Sequence, residues 1–341
     1  MRIVVLDGFT LNPGDNPWDG LERLGALTVF DRTPQGLLID RASSADILIT
    51  NKAVIDEAAL DKLPKLRFIG VTATGYNVVD VAAAGRRGIP VANVPEYGTD
   101  AVAQHVIALL LELTNRVGLH DEAVKSGEWG KSHDFCFWKA SLVELAGKKM
   151  GLVGFGNIGR KIAAIAHALG MELIVFTPRA KTQPPLLPVT WTGLTELFAE
   201  ADVISLHCPL TSENAGFVDR HLLSSMKPSA FLINTARGGL INEADLADAL
   251  NGGVIAGAAV DVVSTEPIRP ENPLLKARNC FITPHIAWAS MEARKRLMAR
   301  TVANVEAFIA GAPVNVVNGE YLQMQKHESK TGLRGDDRLQ H

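Results

Sequence analysis

The stretch Lys149-Met150-Gly151-Leu152-Val153-Gly154-Phe155-Gly156-Asn157-Ile158-Gly159-Arg160 decides the fold. It opens on an apolar run, turns through a GxGxxG pattern, and leads into Arg160–Leu169, whose apolar spacing predicts a helix. A second apolar run, Glu172–Phe176, completes a strand–turn–helix–strand unit. In such a unit each glycine has its own task. Gly154 permits the tight turn, Gly156 lets the backbone approach a pyrophosphate, and Gly159 lets the helix pack close to the strand. The helix N-terminus adds unpaired N–H groups and partial positive charge, so Asn157 and Ile158 join the glycines as candidate phosphate-site residues. GxGxxG alone is common in turns. The complete unit around it favours a dinucleotide cradle over a bare βα turn.

The same alternation extends outward. Short Val- and Ile-rich runs recur at Arg2–Asp7, Asp46–Thr50, Arg67–Val71, Asp202–His207, Ala230–Asn234, Ile255–Val260 and Cys280–Thr283, with Ala/Leu-rich segments between most of them. Continuous apolar runs alternating with helices indicate βαβ units and parallel sheets. The fold class is therefore α/β. Two groups of strands stand on either side of a long helix over Asp100–Asn115, for which Thr99 or Asp100 is the expected N-cap. Ser290–Ala310 predicts a further helix, stopped by Gly311-Ala312-Pro313. Residues 319–341 mix charges with few apolar residues and read as a poorly ordered tail.

The 341 residues suit about two domains at roughly 150 residues each. A hydrophobic content of 47% excludes a solvated disordered polymer. The net charge of −3 argues against a nucleic-acid binder, which needs surplus cations to neutralise phosphates. Cys136, Cys208 and Cys280 are odd in number and show no CxxC spacing, which fits a reducing, cytoplasmic compartment and no metal site. The N-terminal apolar run is short and ends in Asp7-Gly8, unlike a signal peptide. No apolar run is long enough to cross a membrane.

The end of the second strand discriminates between dinucleotides. An acid there would bond the ribose 2′-hydroxyl of NAD. The sequence reads Phe176-Thr177-Pro178-Arg179-Ala180-Lys181 instead. Thr177 could donate to a 2′-phosphate, with Arg179 and Lys181 as its cations. NADP(H) is accordingly favoured over NAD(H), against the plainer reading of two solvated surface cations.

Three ionisable residues stand at or just after strand ends. They are Arg237 in Asn234-Thr235-Ala236-Arg237-Gly238-Gly239, Glu266 in Ser264-Thr265-Glu266-Pro267, and His285 in Thr283-Pro284-His285-Ile286. Ligands of α/β sheets bind beyond the carboxyl ends of strands, so these three could share one crevice. With Ala73-Thr74-Gly75-Tyr76-Asn77, Gly98–His105, Asp134–Trp138 and Pro284–Ser290, they make the chain resemble the D-isomer-specific 2-hydroxyacid dehydrogenases. Within them it resembles the glycerate dehydrogenase/hydroxypyruvate (glyoxylate) reductase branch, over about residues 1–318. The missing acid at Thr177 and the extra tail over residues 319–341 are the main departures.

The resemblance implies a flavodoxin-like substrate domain from residues 1–97 and 286–318, and a Rossmann-fold cofactor domain from residues 98–285. It places the active site in the cleft between them. It implies catalytic roles for Arg237, Glu266 and His285, and substrate contacts from Thr74, Gly75, Arg237, Lys52 and Trp138. Cofactor contacts are implied for Thr74, Val102, Cys208, Pro209, Thr235, Ala236, Arg237, Asp261 and His285, with Asp261 facing the nicotinamide. It also implies a homodimer built on the aromatic arm Trp129–Trp138.

The chemistry supports those roles. Hydride transfer to a keto carbon leaves negative charge on oxygen, which needs a proton donor near neutral pKa, hence His285. Glu266 beside it would favour the imidazolium. Arg237 stays charged and presents a planar fork to a carboxylate and a keto oxygen. Histidines 105, 120, 133, 167, 207 and 221 read as structural or surface residues, and Lys52 as a solvated cation or a substrate contact. Cys208 lacks a neighbour to activate it as a nucleophile. Rival readings of the same motifs are a short phosphoglycerate dehydrogenase, a formate dehydrogenase (disfavoured by Glu266), and a non-catalytic cofactor-sensing corepressor that keeps the triad.

Overall fold

The computed structural model describes residues 1–178 and 187–324. It divides into two compact units, one formed by Met1–Gly98 with the chain from Ser290 onward, the other by Thr99–Ala289.

The first unit holds β1 (Arg2–Val5), β2 (Ala26–Val29), β3 (Ile47–Thr50), β4 (Phe68–Val71) and β5 (Val91–Ala92), all parallel, in the order β2-β1-β3-β4-β5. This is the flavodoxin-like order, whose direction reverses between β1 and β3. The inner strands β3 and β4 are buried throughout, which is why they read as continuous apolar runs. Helix Met291–Ile309 packs on this sheet, with Phe308 stacked on Phe68 at 4.7 Å between ring centres. Its N-cap is Ser290, whose hydroxyl accepts from the Ala293 N–H. Asn318 then fastens the returning chain. Its side chain accepts from the Val91 N–H and donates to the carbonyls of Ile89 and Val81.

The second unit holds β6 (Lys149–Val153), β7 (Glu172–Phe176), β8 (Val189–Trp191), β9 (Val203–Leu206), β10 (Phe231–Asn234), β11 (Gly257–Val260) and β12 (Cys280–Ile282). All pairs are parallel, in the order β12-β11-β10-β9-β6-β7-β8. Numbered within the unit, that is the Rossmann order 3-2-1-4-5-6 with one more strand. Its direction reverses between β6 and β9. Two apolar cores flank the sheet, one around Phe198, Leu232 and Leu246, the other around Leu110, Leu152 and Ile162.

The structure adds three strands that the apolar runs do not announce: β2, β5 and β8. All three are sheet edges. An edge strand is half exposed or very short, so β2 alternates and β8 carries exposed residues instead of a continuous run. Two boundaries also move. The helix after the glycine turn begins at Asn157, not Arg160, and the long helix includes Thr99 as its first residue instead of as a cap. The expected tail starts late. Residues 319–324 are helical, and a Cβ on Gly85 would collide with Tyr321. Residues 325–341 lie outside the described residues.

Candidate active site

The glycine turn sits where the second sheet reverses. Gly154 follows β6 with φ +100°, a conformation that L side chains rarely adopt. A Cβ there would approach the His207 carbonyl carbon and oxygen to 2.7 Å, because the chain leaving β9 passes directly against it. A Cβ on Gly159 would meet the Gly154 oxygen at 2.5 Å, so the helix lies close on the turn. Gly156 is different, since a Cβ there would meet nothing within 4 Å. The backbone at this point borders open space at the start of the 12-residue helix Asn157–Ala168, where first-turn N–H groups lack intrahelical partners. Two buried polar atoms nearby in sequence to this crevice also lack hydrogen-bond partners, His207 Nε2 and Thr235 Oγ1. An open glycine floor, a helix start and unsatisfied polar atoms fit a dinucleotide. Val102 is buried on helix Thr99–Asn115, and Thr177 is partly buried at the end of β7. Arg179 and Lys181 lie outside the described residues.

Burial raises the pKa of Cys208, which keeps it a thiol. The neighbouring Pro209 carbonyl accepts from Asn214 Nδ2 at 2.8 Å. His207 keeps some residue-level exposure, but its Nε2 is fully buried, and burial pulls its pKa down to about 3.

Beyond β11 and β12 the chain brings two of the three candidate catalytic residues together. His285 Nδ1 lies 2.7 Å from Glu266 Oε2. Glu266 also accepts the Val263 N–H at Oε1, 3.3 Å away, which fixes the carboxylate plane. Both side chains are about 30% exposed, enough to meet a small ligand. The geometry orients the imidazole with its Nδ1–H on the carboxylate, leaving Nε2 for chemistry. His285 itself has φ +55°, costly for a non-glycine residue at roughly 1–3 kcal/mol. The wholly buried Asp261 holds it there. The Asp261 carbonyl accepts the His285 N–H at 2.8 Å, and its carboxylate accepts the N–H groups of Ile286 and Ala287, both at 2.9 Å. Thr283 Oγ1 donates to the same carboxylate at 2.6 Å, and His105 Nε2 stands 3.1 Å from that hydroxyl. The structure thus shows Asp261 moulding the His285 turn.

Arg237 is exposed, and its Nη1 donates to the Ala236 carbonyl at 2.7 Å. Its turn is shaped by buried Asn234, which accepts the Ala236 N–H and donates to the Arg237 carbonyl. At Gly238 a Cβ would overlap the Val263 backbone, so the turn carrying Arg237 presses on the loop carrying Glu266. Glu243 steadies that loop by accepting from the N–H and hydroxyl of Ser264, both at 2.7 Å. Sequence reasoning missed Asn234, Gly238 and Glu243 as site-building residues. Asn234 carries a detectable signal, an Asx turn onto the residue two positions on. Glu243 carries none, because its partner is 21 residues away.

Lys52, Thr74 and Gly75 belong to the first unit. Thr74 is exposed, its hydroxyl donating to the Val94 carbonyl and its carbonyl accepting from Asn93. Lys52 is exposed and carries no ion pair among the described residues. Trp138 lies in the second unit with 69% of its surface exposed, near Phe135 at 89%. Among the described residues no cluster of His, Cys, Asp and Glu could hold a metal ion, and no helix is long and apolar enough to cross a membrane.

Comparison with known proteins follows the same lines. Residues 107–287 match the model of the D-isomer specific 2-hydroxyacid dehydrogenase NAD binding domain. The chain is 50% identical to a hydroxypyruvate reductase of Blautia hydrogenotrophica, over 93% of this chain and 100% of that protein. It is 41% identical to a glycerate dehydrogenase of Methylorubrum extorquens, over 84% and 89%. Among solved structures, an NADPH-dependent glyoxylate/hydroxypyruvate reductase of Sinorhizobium meliloti, in complex with NADP and malonate, superposes with TM-score 0.78 at 29% identity, covering 92% of this chain and 96% of that one.

Proposed function

The chain belongs to the D-isomer-specific 2-hydroxyacid dehydrogenase family and is an oxidoreductase, and from that premise we propose that it reduces glyoxylate and hydroxypyruvate to glycolate and D-glycerate. The observation that carries the reading is the 50% identity to a hydroxypyruvate reductase over all of that protein, and the His285–Glu266 pair at 2.7 Å in a turn held by Asp261 supplies the acid–base group the reaction needs. The Gly154–Gly159 turn would hold a nicotinamide dinucleotide, and that group would supply the hydride. His285 Nε2 protonates the oxygen that becomes negative, while Glu266 supports the imidazolium through Nδ1. Arg237 binds the substrate carboxylate and polarises the keto oxygen. Thr74 and Gly75 supply backbone donors to the carboxylate, and Lys52 meets a polar group at the distal end of the substrate.

NADP(H) is the proposed cofactor. Thr177 in place of an acid supports it, as do the nearby Arg179 and Lys181 in the sequence, and the Sinorhizobium meliloti relative binds NADP. The exposed Phe135 and Trp138 support assembly as a homodimer through the aromatic arm, with Trp138 reaching the partner's substrate. The three free cysteines suit a cytoplasmic setting. The test is turnover of glyoxylate, hydroxypyruvate, pyruvate and phosphohydroxypyruvate, each with NADH and NADPH. His285→Gln should cut kcat by about 10²–10⁴ with cofactor affinity near normal, as expected for a lost general acid. An unchanged kcat would remove His285 from the mechanism.

A further inference from the structure

The first sheet reverses direction between β1 and β3, the place where α/β sheets present a ligand crevice. Here the backbone donors at the crevice are taken up by the protein itself. Asp7 follows β1, and the loop Asn51-Lys52-Ala53 follows β3. Three successive N–H groups of that loop converge on the Asp7 carboxylate: Asn51 on Oδ1 at 2.7 Å, Lys52 on Oδ2 at 2.5 Å and Ala53 on Oδ2 at 2.8 Å. Such a run of N–H groups is an anion-binding concavity. With Asp7 in it, the loop backbone is not available to a substrate anion. What the loop can still offer a ligand is the Lys52 side chain, which borders a cavity of about 310 Å³ shared with Phe9, Arg32, Gln35 and Val54.

The same loop is tied on its other side. Buried Asn51 donates from Nδ2 to the Thr72 carbonyl at 2.6 Å and lies 3.2 Å from the Thr72 hydroxyl, two residues before Thr74. The backbone of Lys52 is therefore held by one carboxylate and by its Asn51 neighbour, while its ammonium has no acid partner among the described residues.

We propose that Asp7 is a positioning residue, fixing the Asn51–Ala53 loop so that Lys52 meets the distal polar group of the keto acid. This rests on the role given to Lys52 above. Hydroxypyruvate carries a distal hydroxyl and glyoxylate has no distal carbon, so the two substrates separate positioning from folding. Asp7→Asn keeps the shape but leaves one acceptor oxygen for three donors. It should raise KM for hydroxypyruvate by about 5–10-fold, leave KM for glyoxylate and for the cofactor within about twofold, and leave kcat nearly unchanged. In a Lys52→Ala background the same substitution should add almost nothing, because coupled residues are non-additive. A similar rise in KM for both substrates, no rise for either, or an additive effect on Lys52→Ala overturns the proposal for Asp7 alone. If Lys52→Ala leaves KM for hydroxypyruvate unchanged, the role of Lys52 falls and the proposal with it. Failure of the unaltered protein to reduce either substrate would overturn both.

Discussion

His285 offers one nitrogen to Glu266 and keeps the other for substrate, so the carboxylate fixes the orientation of the ring and which nitrogen meets the reacting oxygen. Glu266→Gln keeps the shape but removes the negative charge beside the ring that protonates the product oxygen, so kcat for keto-acid reduction should fall about tenfold or more with cofactor affinity near normal. Steady-state kinetics of both proteins check this, and an unchanged kcat would mean that the carboxylate does not act through His285. Arg237 behaves differently at this scale. Its own turn holds its Nη1 on the Ala236 carbonyl, and the approach of its loop to that of Glu266 depends on Gly238 having no side chain.

The elements show how these residues come to be placed. Two buried polar side chains at strand ends of the second sheet shape the turns that carry functional residues: Asn234, the last residue of β10, holds the Arg237 turn that follows it, and Asp261, just after β11, holds the His285 turn that follows β12. The glycine turn after β6 works by space instead. Gly156 has an ordinary extended backbone and an unobstructed Cβ position, so Ala should be accepted by the fold. The added methyl would then stand where a pyrophosphate must approach. Gly156→Ala should leave the thermal midpoint nearly unchanged and weaken cofactor binding about tenfold or more, near 1.4 kcal/mol. Titration by nicotinamide fluorescence measures it, and equal affinities would place the phosphates elsewhere. The strands that bury both faces and the glycine turn were legible in the sequence, because continuous apolar runs and a fixed spacing are local signals. The edge strands β2, β5 and β8 were not, since half-exposed or two-residue strands carry no run. Glu243 and Asp7 were not legible either. Their partners lie 21 and 44–46 residues away, and only the closed fold brings them near.

At the scale of the whole molecule, stability should respond to one buried ring. His207 is held neutral by burial, with its pKa pulled down to about 3. An unfolded histidine titrates near 6.5. Between those values the unfolded chain binds a proton that the folded one does not, so stability falls as the pH drops through this window. From pH 7 to 5.5, above the carboxylate range, the loss should approach roughly 1 kcal/mol per pH unit. Urea unfolding at several pH values should show this slope, reduced by up to one proton in His207→Asn. Identical slopes would show that the ring is not kept neutral in the folded protein.

The first unit is assembled from both ends of the chain, with Met291–Ile309 packed on its sheet and Asn318 fastened to β5. A ribosome delivers those parts last. The second unit is continuous in sequence and can close as soon as residue 289 has emerged, whereas residues 1–98, made first, must wait for some 200 more residues before Phe68 is covered. Order of synthesis and order of completion are therefore reversed for the two halves of this protein. During translation the earliest-made sheet is the one that most needs shielding.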